Sequence, residues 1–353
     1  MRIADCGIEL RNSEVTSRDR SDGPLVLAIE TSCDETAVAL LRGRDQLLVS
    51  KVASQSAIHN RYGGVVPEVA SRNHLIKLLP LVESALAEGQ VRLADVECIA
   101  ATRGPGLLTS LLVGYAAAKG FAIGLRKPFI GVNHLEAHLL SPFFNDPCGP
   151  EQSVGLIVSG GHTQLVAMRA VGHYKVLGST LDDAAGEAFD KVGKLLGLPY
   201  PGGPNIERWA ERGDATRFDL PRGMWGSGDF NFSFSGLKTA VRYLLPKLSG
   251  DYQADLCASF QEAVIQVLVR KTIAAAQSVA AQVVTVSGGV SCNLRLRREM
   301  ESAAAAAGIR LRLAAPALTT DNAAMIAFVA SEHYRSGSFT SWIEDADPNL
   351  KLV

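Results

Sequence analysis

The tightest constraint on this chain is an order of elements that occurs twice. LVLAIETSCDETAVALLRGRDQLLVSKVAS (25–54) and SVGLIVSGGHTQLVAMRAVGHYKVLGST (153–180) share one pattern. Each runs as a β-rich segment, a small polar turn, a second apolar run, a short connection and a third strand. That is a three-stranded meander, made twice. Two strand-then-helix units follow each meander. In the first half VECIAAT (96–102) leads into GPGLLTSLLVGYAAAKG, and PFIGV (128–132) into NHLEAHLL. In the second half QVVTVSGG (282–289) leads into VSCNLRLRREMESAAAAA, and IRLRLAAP (309–316) into TTDNAAMIAFVASEHYRSG.

Strands alternating with helices pair in parallel. The tandem pattern predicts an α/β protein with the two-lobed architecture shared by actin, Hsp70 and the sugar kinases, each lobe holding a mixed sheet. We expect a polar N-terminal extension over 1–24, a first lobe over 25–150 and a second over 151–340. A helical insertion occupies about 181–280 of the second lobe, and 341–353 form a C-terminal tail. A chain of 353 residues accommodates two such lobes.

Composition narrows the class. Six cysteines are scattered with no CxxC pair, which points to a reducing, cytoplasmic setting and away from disulfide frameworks and zinc fingers. A formal net charge of -1 gives no whole-chain basic field for nucleic acid, so an RNA ligand needs a local patch or a helper. Residues 1–24 lack the apolar core of a signal peptide. The longest apolar stretch (107–125) is interrupted by Lys119 and rich in small residues, which predicts a buried helix rather than a membrane span.

Ligands of open α/β sheets collect at the carboxyl ends of the strands. NHLEAH and TTDN stand at equivalent points, each just after the last strand of its lobe, and so face one cleft together with ETSCDET and SGGHT. His134 and His138 are i and i+4 neighbours on one helical face, within reach of one metal ion. Alone, such a pair more often merely packs. Asp321, placed across the cleft by the repeat, changes that balance. Two histidines and a carboxylate suit one divalent Fe, Zn or Mn ion. A zincin protease needs glutamate directly after the first histidine; here Glu136 is one position too far along.

VSGGHTQ (158–164) and VSGGVSCN (286–293) each follow a strand, where backbone N–H groups can hold a phosphate. With PGGP (201–204) between them they point to a nucleotide, although a single SGG is usually a plain turn. Asn293 is placed to cap a helix or touch a ligand. Glu30, Asp34 and Glu35 are candidates for acid–base or orienting work, against the simpler reading of a polar hairpin. Cys33 has no evident activating partner and reads as structural. Asp190 is either half of a solvated pair with Lys191 or a ligand for ribose hydroxyls. The arginines at 295, 297, 298, 310 and 312 read as a solvated face.

Taken in order, ETSCDET, YGGVVPEVASR, GPGLLTSLLVG, NHLEAHLLSP, LIVSGGHTQL, DDAAGEAFDKVGKLLGLPYPGGP, FSFSGLKTA, SGGVSCN and TDNAAMIA resemble the bacterial tRNA N6-adenosine threonylcarbamoyltransferases, from about residue 25 to 330. That family was formerly labelled a sialoglycoprotein endopeptidase. The resemblance implies transfer of a threonylcarbamoyl group from threonylcarbamoyl-adenylate to N6 of the adenosine 3′ of the anticodon, in tRNAs reading codons that begin with A. It implies one divalent ion per subunit, Fe2+ before Zn2+, on His134, His138 and Asp321. It further implies adenylate binding by Ile157, Val158, Ser159, Gly160, Gly161, Asp190, Gly203 and Asn293. Its partners would be a paralogous subunit of similar fold and a small ATPase, with no membrane. Asp34 or Glu35 would take the proton released from N6. The chain departs from the family at Asn133, often histidine, and at Cys292, often alanine; neither is an implied ligand. The rival readings are a sugar kinase or ATPase of the same fold, and a metalloprotease.

Overall fold

A computed structural model describes residues 23–353; the N-terminal stretch, except its last two residues, lies outside them. In the first half β1 (Leu25–Glu30), β2 (Glu35–Arg42) and β3 (Gln46–Ser54) form the meander, and β4 (Cys98–Gly104) and β5 (Phe129–Asn133) complete it. Its helices are α1 (Ser56–His59), α2 (Pro67–Glu88), α3 (Leu108–Leu125) and α4 (His134–Leu140). The second half repeats the plan with β6 (Ser153–Val158), β7 (Thr163–Ala170), β8 (His173–Ser179), β9 (Val283–Ser287) and β10 (Arg310–Leu313). Its helices are α5 (Ala185–Leu195), α6 (Gly202–Ala210), α7 (Ser235–Leu244), α8 (Gln253–Ser278), α9 (Leu294–Ala306) and α10 (Ala323–Ser336).

The sheets run β3-β2-β1-β4-β5 and β10-β9-β6-β7-β8, the same order within each half. The meander pairs are antiparallel, whereas β1–β4, β4–β5, β6–β9 and β9–β10 are parallel. The first strands are apolar at nearly every position because both faces are covered. Leu27 and Ile29 enter the layer under α2 and α3, while Val26 and Ala28 enter a second layer with residues of α4 and α10. A third core lies on the second sheet beneath α5 to α9.

The helices after the last strands cross between halves. α10 packs on β1 and β2 of the first sheet, and α4 packs on β6 and β9 of the second. A Cβ on Gly155 would come within 2.2 Å of the Leu139 side chain, so the glycine leaves room for Leu139 of α4 against β6. The central layer therefore mixes Leu135, Leu139 and Phe143 with Ile157, Val166 and Met168 and the apolar face of α10. α3, apolar and long enough to cross a membrane by composition alone, buries Leu111, Gly114, Tyr115, Ala118 and Ala122.

The C-terminal residues lie across the first lobe. Thr340 N–H donates to Phe129 O (3.1 Å), and Trp342 stacks on Phe129 with centroids 6.1 Å apart. Further along, Asp347 N–H donates to Arg103 O (2.9 Å), and Lys351 O accepts from Asn133 Nδ2 (2.9 Å). The last of these contacts reaches the residue that starts α4.

Candidate metal centre and adenylate cradle

Asparagine starts both of the crossing helices. Asn133 Oδ1 accepts from Leu135 N–H (2.8 Å), and Asn322 Oδ1 from Met325 N–H (2.9 Å), satisfying amides that have no partner within a helix. These caps fix where each helix begins, and so where the neighbouring side chains point. His134 and His138 leave the first turns of α4 toward Asp321, which lies one residue before the cap of α10. His134 Nε2 is 3.4 Å and His138 Nε2 3.5 Å from Asp321 Oδ1, and the candidate donor atoms of the three residues all lie within 4.8 Å of one another.

Donors bound to one ion at about 2.0–2.2 Å in tetrahedral geometry are themselves about 3.4 Å apart, so the two separations from Asp321 suit a single ion. The satisfaction of the ring nitrogens points the same way. His138 is 1% exposed, and among the described residues neither of its nitrogens has a hydrogen-bond partner. A buried ring with two unsatisfied nitrogens is costly unless one of them holds something else.

Glu30 lies behind His134, fully buried at the end of β1. It accepts from His134 Nδ1 (3.0 Å), Thr102 Oγ1 (2.6 Å) and Ser32 N–H. A carboxylate on Nδ1 fixes the tautomer and leaves Nε2 free toward Asp321. Burial opposes protonation of His134, but the charges of Asp321 and Glu30 outweigh it and hold its pKa well above the ordinary range. Asp321 is held well below the usual carboxylate range: burial raises it, and the two histidines more than reverse that. His138 is lowered, mainly by burial. A pocket that retains a proton this strongly is one where positive charge is stabilised.

Two further histidines differ in relevance. His162, in the turn after β6, is pushed down to about 4 by burial and then by the charges of His134 and His138. The sequence offered one sign of it, the SGGHT turn standing opposite ETSCDET. His74 instead holds the backbone of that turn, with Nε2 3.0 Å from Cys33 O and Nδ1 2.8 Å from Thr36 Oγ1. The Cys33 thiol is pushed far up by burial, then by Asp321 and Asp34, which disfavours a thiolate nucleophile. Glu35 accepts from Ser54 Oγ (2.8 Å) through one oxygen, while its other oxygen is buried without a partner. Burial pushes Glu35 up to about 7.

The glycine turns converge on the second lobe. Ser159 to His162 close a tight turn, with Gly160 and Gly161 exposed at its tip. Gly186, in the first turn of α5, donates to Ser159 O (3.1 Å). Gly288 has φ +91°, and a Cβ there would stand 2.4 Å from Val158 O, so the second SGG turn touches the first only because it is glycine. Ile157 pairs with Ser287 of β9 and Gln164 of β7 and turns its side chain into the central core. Asp190 Oδ1 accepts from Gly202 N–H (2.7 Å), and burial raises its pKa against the amides of Gly202 and Gly203. Asn293 is committed on both sides: Oδ1 caps α9 at Leu296 N–H (2.9 Å), and Nδ2 donates to Gln261 Oε1 (2.7 Å). That leaves it one amide proton and one lone pair.

Tyr200 was not singled out by the sequence. Its phenol is pushed up by burial and then by the charges of Asp190, Asp34, Cys33 and Glu35, groups from both lobes. Glu136 points elsewhere, to Tyr174 and His333, and is absent from the His134–His138–Asp321 cluster as a protease geometry would not allow.

Two lobes of identical strand order define a protein of the actin, Hsp70 and sugar-kinase architecture. HypF from T. kodakarensis superposes with a TM-score of 0.64 at 14% identity, over 91% of this chain and 49% of that one. Full-length HypF in a phosphate- and nucleotide-bound form gives 0.62 at 12%, over 91% and 48%. The chain thus spans about half the length of either, and at these identities the likeness concerns the fold. Residues 46–328 match the family described as tRNA N6-adenosine threonylcarbamoyltransferase. Proteins of that name from Pelobacter propionicus and Geobacter sulfurreducens are 52% and 51% identical, over 88% and 93% of this chain and 92% and 97% of theirs. The chain belongs to the tRNA N6-adenosine threonylcarbamoyltransferase family.

Proposed function

We propose that the chain transfers the threonylcarbamoyl group of threonylcarbamoyl-adenylate to N6 of the adenosine 3′ of the anticodon, in tRNAs reading codons that begin with A. Family membership over most of the chain carries this reading. The N6 amine attacks the carbamoyl carbon, the bond from that carbon to the phosphate oxygen breaks, and AMP leaves with the electron pair. A phosphoryl-transfer role would leave the His134–His138–Asp321 cluster without a task, and a protease role lacks its glutamate.

His134, His138 and Asp321 would hold one divalent ion, Fe2+ or Zn2+, which when bound supplies Lewis-acid stabilisation of developing negative charge. Glu30 keeps the Nδ1 proton of His134 in place. The backbone of Ile157, Val158, Ser159, Gly160 and Gly161, with Asp190, Gly203 and Asn293, would cradle the adenylate. Adenine N6 is a weak nucleophile, so holding it against the carbamoyl carbon supplies much of the rate. Asp34 stands immediately before β2 and Glu35 opens it. Glu35, with its raised pKa and an unpartnered oxygen, is the better placed to take the N6 proton.

Transfer should therefore rise with pH through about 7, since Glu35 must be deprotonated to act as a base. Glu35→Gln should slow transfer on the order of 100-fold or more and flatten that limb of the profile. Rate–pH profiles of both proteins check this; an unchanged profile would remove Glu35 from the role.

A paralogous subunit of similar fold and a small ATPase complete the system in this reading. Leu75, Ile76 and Leu79 on α2 and Leu108 and Leu112 on α3 are 66%, 67%, 54%, 46% and 46% exposed, on helices that pack together. Such apolar exposure fits a partner. Leu75→Arg with Leu79→Arg should leave the isolated chain folded and abolish co-elution with the partner in size-exclusion chromatography. The function itself is tested by incubating purified chain, partners, threonylcarbamoyl-adenylate and unmodified tRNA, then digesting the RNA and analysing its nucleosides.

A further inference from the structure

The Glu136 carboxylate has no part in the chemistry above, yet it is 6% exposed and hydrogen-bonded on both oxygens. Tyr174 OH donates to Oε1 (2.6 Å) and His333 Nε2 to Oε2 (2.9 Å). Both donors come from the second half of the chain, Tyr174 from β8 and His333 from α10. At 100° per residue, Glu136 projects about 180° around α4 from the midpoint of His134 and His138. The helix is thus held on opposite sides, by Asp321 facing the histidines and by His333 and Tyr174 facing Glu136. α10 touches α4 from both of its ends, because Asp321 immediately precedes its cap and His333 lies in its last turn.

We infer that Glu136, gripped by Tyr174 and His333, is a positioning residue that sets the roll of α4 and so aims His134 and His138 together at Asp321. α4 has only seven residues and no length of its own to resist rotation. Side-chain tips lie about 5–6 Å from a helix axis, so a roll of about 10° moves a ring nitrogen by about 1 Å. Metal coordination tolerates about 0.2 Å. Apolar packing of Leu135 and Leu139 limits the roll loosely; two directed hydrogen bonds to one carboxylate limit it tightly. Burial disfavours a charged His333, but its bond to Glu136 and the charges of Glu136 and Glu332 raise its pKa, which strengthens the grip.

The inference rests on the metal reading of His134, His138 and Asp321, and the test separates the two. The full-length chain is titrated with Zn2+ against a chromophoric chelator, and with Co2+ while its visible spectrum is recorded. The wild-type chain should take up one ion, and Glu136→Ala should bind Zn2+ about 10- to 100-fold more weakly with an altered Co2+ spectrum. Glu136→Gln, which keeps the length and one acceptor oxygen and whose amide the Tyr174 hydroxyl can accept from, should recover part of the affinity. Tyr174→Phe alters one hydroxyl and should weaken binding by a smaller factor, so it carries the test if Glu136→Ala does not fold. Folded variants that lose stability in urea but bind both ions as the wild type does would overturn the inference, leaving Glu136 a packing residue. Failure of the wild-type chain to bind either ion would instead overturn the metal reading, and this inference with it.

Discussion

Asp321→Ala and His138→Ala should each yield a folded protein that carries almost no metal and scarcely modifies tRNA. Asp321 Oδ1 lies within 3.5 Å of both imidazole Nε2 atoms, so its loss removes a candidate ligand and the charge that draws a cation. Beyond Asp321, His138 has among the described residues no hydrogen-bond partner and an edge-to-face contact with the His134 ring (centroids 4.7 Å apart), so its loss removes a donor and breaks no other hydrogen bond. Lewis-acid stabilisation is worth several kcal/mol, and each 1.4 kcal/mol is tenfold in rate, so transfer should fall by about 1,000-fold or more. Elemental analysis and nucleoside analysis of treated tRNA check the two halves of the expectation. Full transfer by a metal-free Asp321→Ala, His138→Ala double variant would contradict the mechanism.

Glu30 should matter strongly for the metal, although it touches no substrate. Its carboxylate is fully buried and satisfies His134, Thr102 and Ser32 together. Glu30→Gln keeps the shape but loses the charge and turns one acceptor into a donor, so either Thr102 or His134 faces a mismatch. Metal affinity should drop about 10-fold for Gln and toward 100-fold for Ala, as for other residues that orient ligands from behind. Proton binding by the metal-free site should fall as well, because Glu30 is one of the two carboxylates that raise His134. An NMR titration of the His134 ring in metal-free protein reads that shift directly. A pKa unchanged from wild type would show that Glu30 does not govern this histidine.

The fold was legible because its repetition is written in hydrophobic order. Both meanders and all four strand–helix units lie where periodicity and glycine turns put them. α2 was not legible: its buried residues Ala70, His74, Leu78, Val82 and Ala85 include a histidine, and its outer face carries Leu75, Ile76 and Leu79, so no clean apolar stripe stands out. Pro80 inside the helix blurs it further.

The candidate triad could be paired from the repeat, since NHLEAH and TTDN end equivalent units. What surrounds it could not. Glu30 looked like any of three acids on one turn, and only the register of β1 beside β4 brings it to Thr102 and His134. Glu136, Tyr174 and His333 are far apart in sequence and meet only because the helices cross between lobes. The C-terminal residues have no periodicity to announce that they lie across the first lobe and reach Asn133, the cap of α4.

One measurement bears on the central claim most directly. Threonylcarbamoyl-adenylate labelled at the carbamoyl carbon is incubated with the purified chain, its partners and unmodified tRNA, and the label is located after nuclease digestion. The account predicts label on N6 of the adenosine 3′ of the anticodon, AMP released in equal amount, and neither product with the Asp321→Ala chain. Label remaining in the adenylate, or AMP released while the tRNA stays unlabelled, would contradict it.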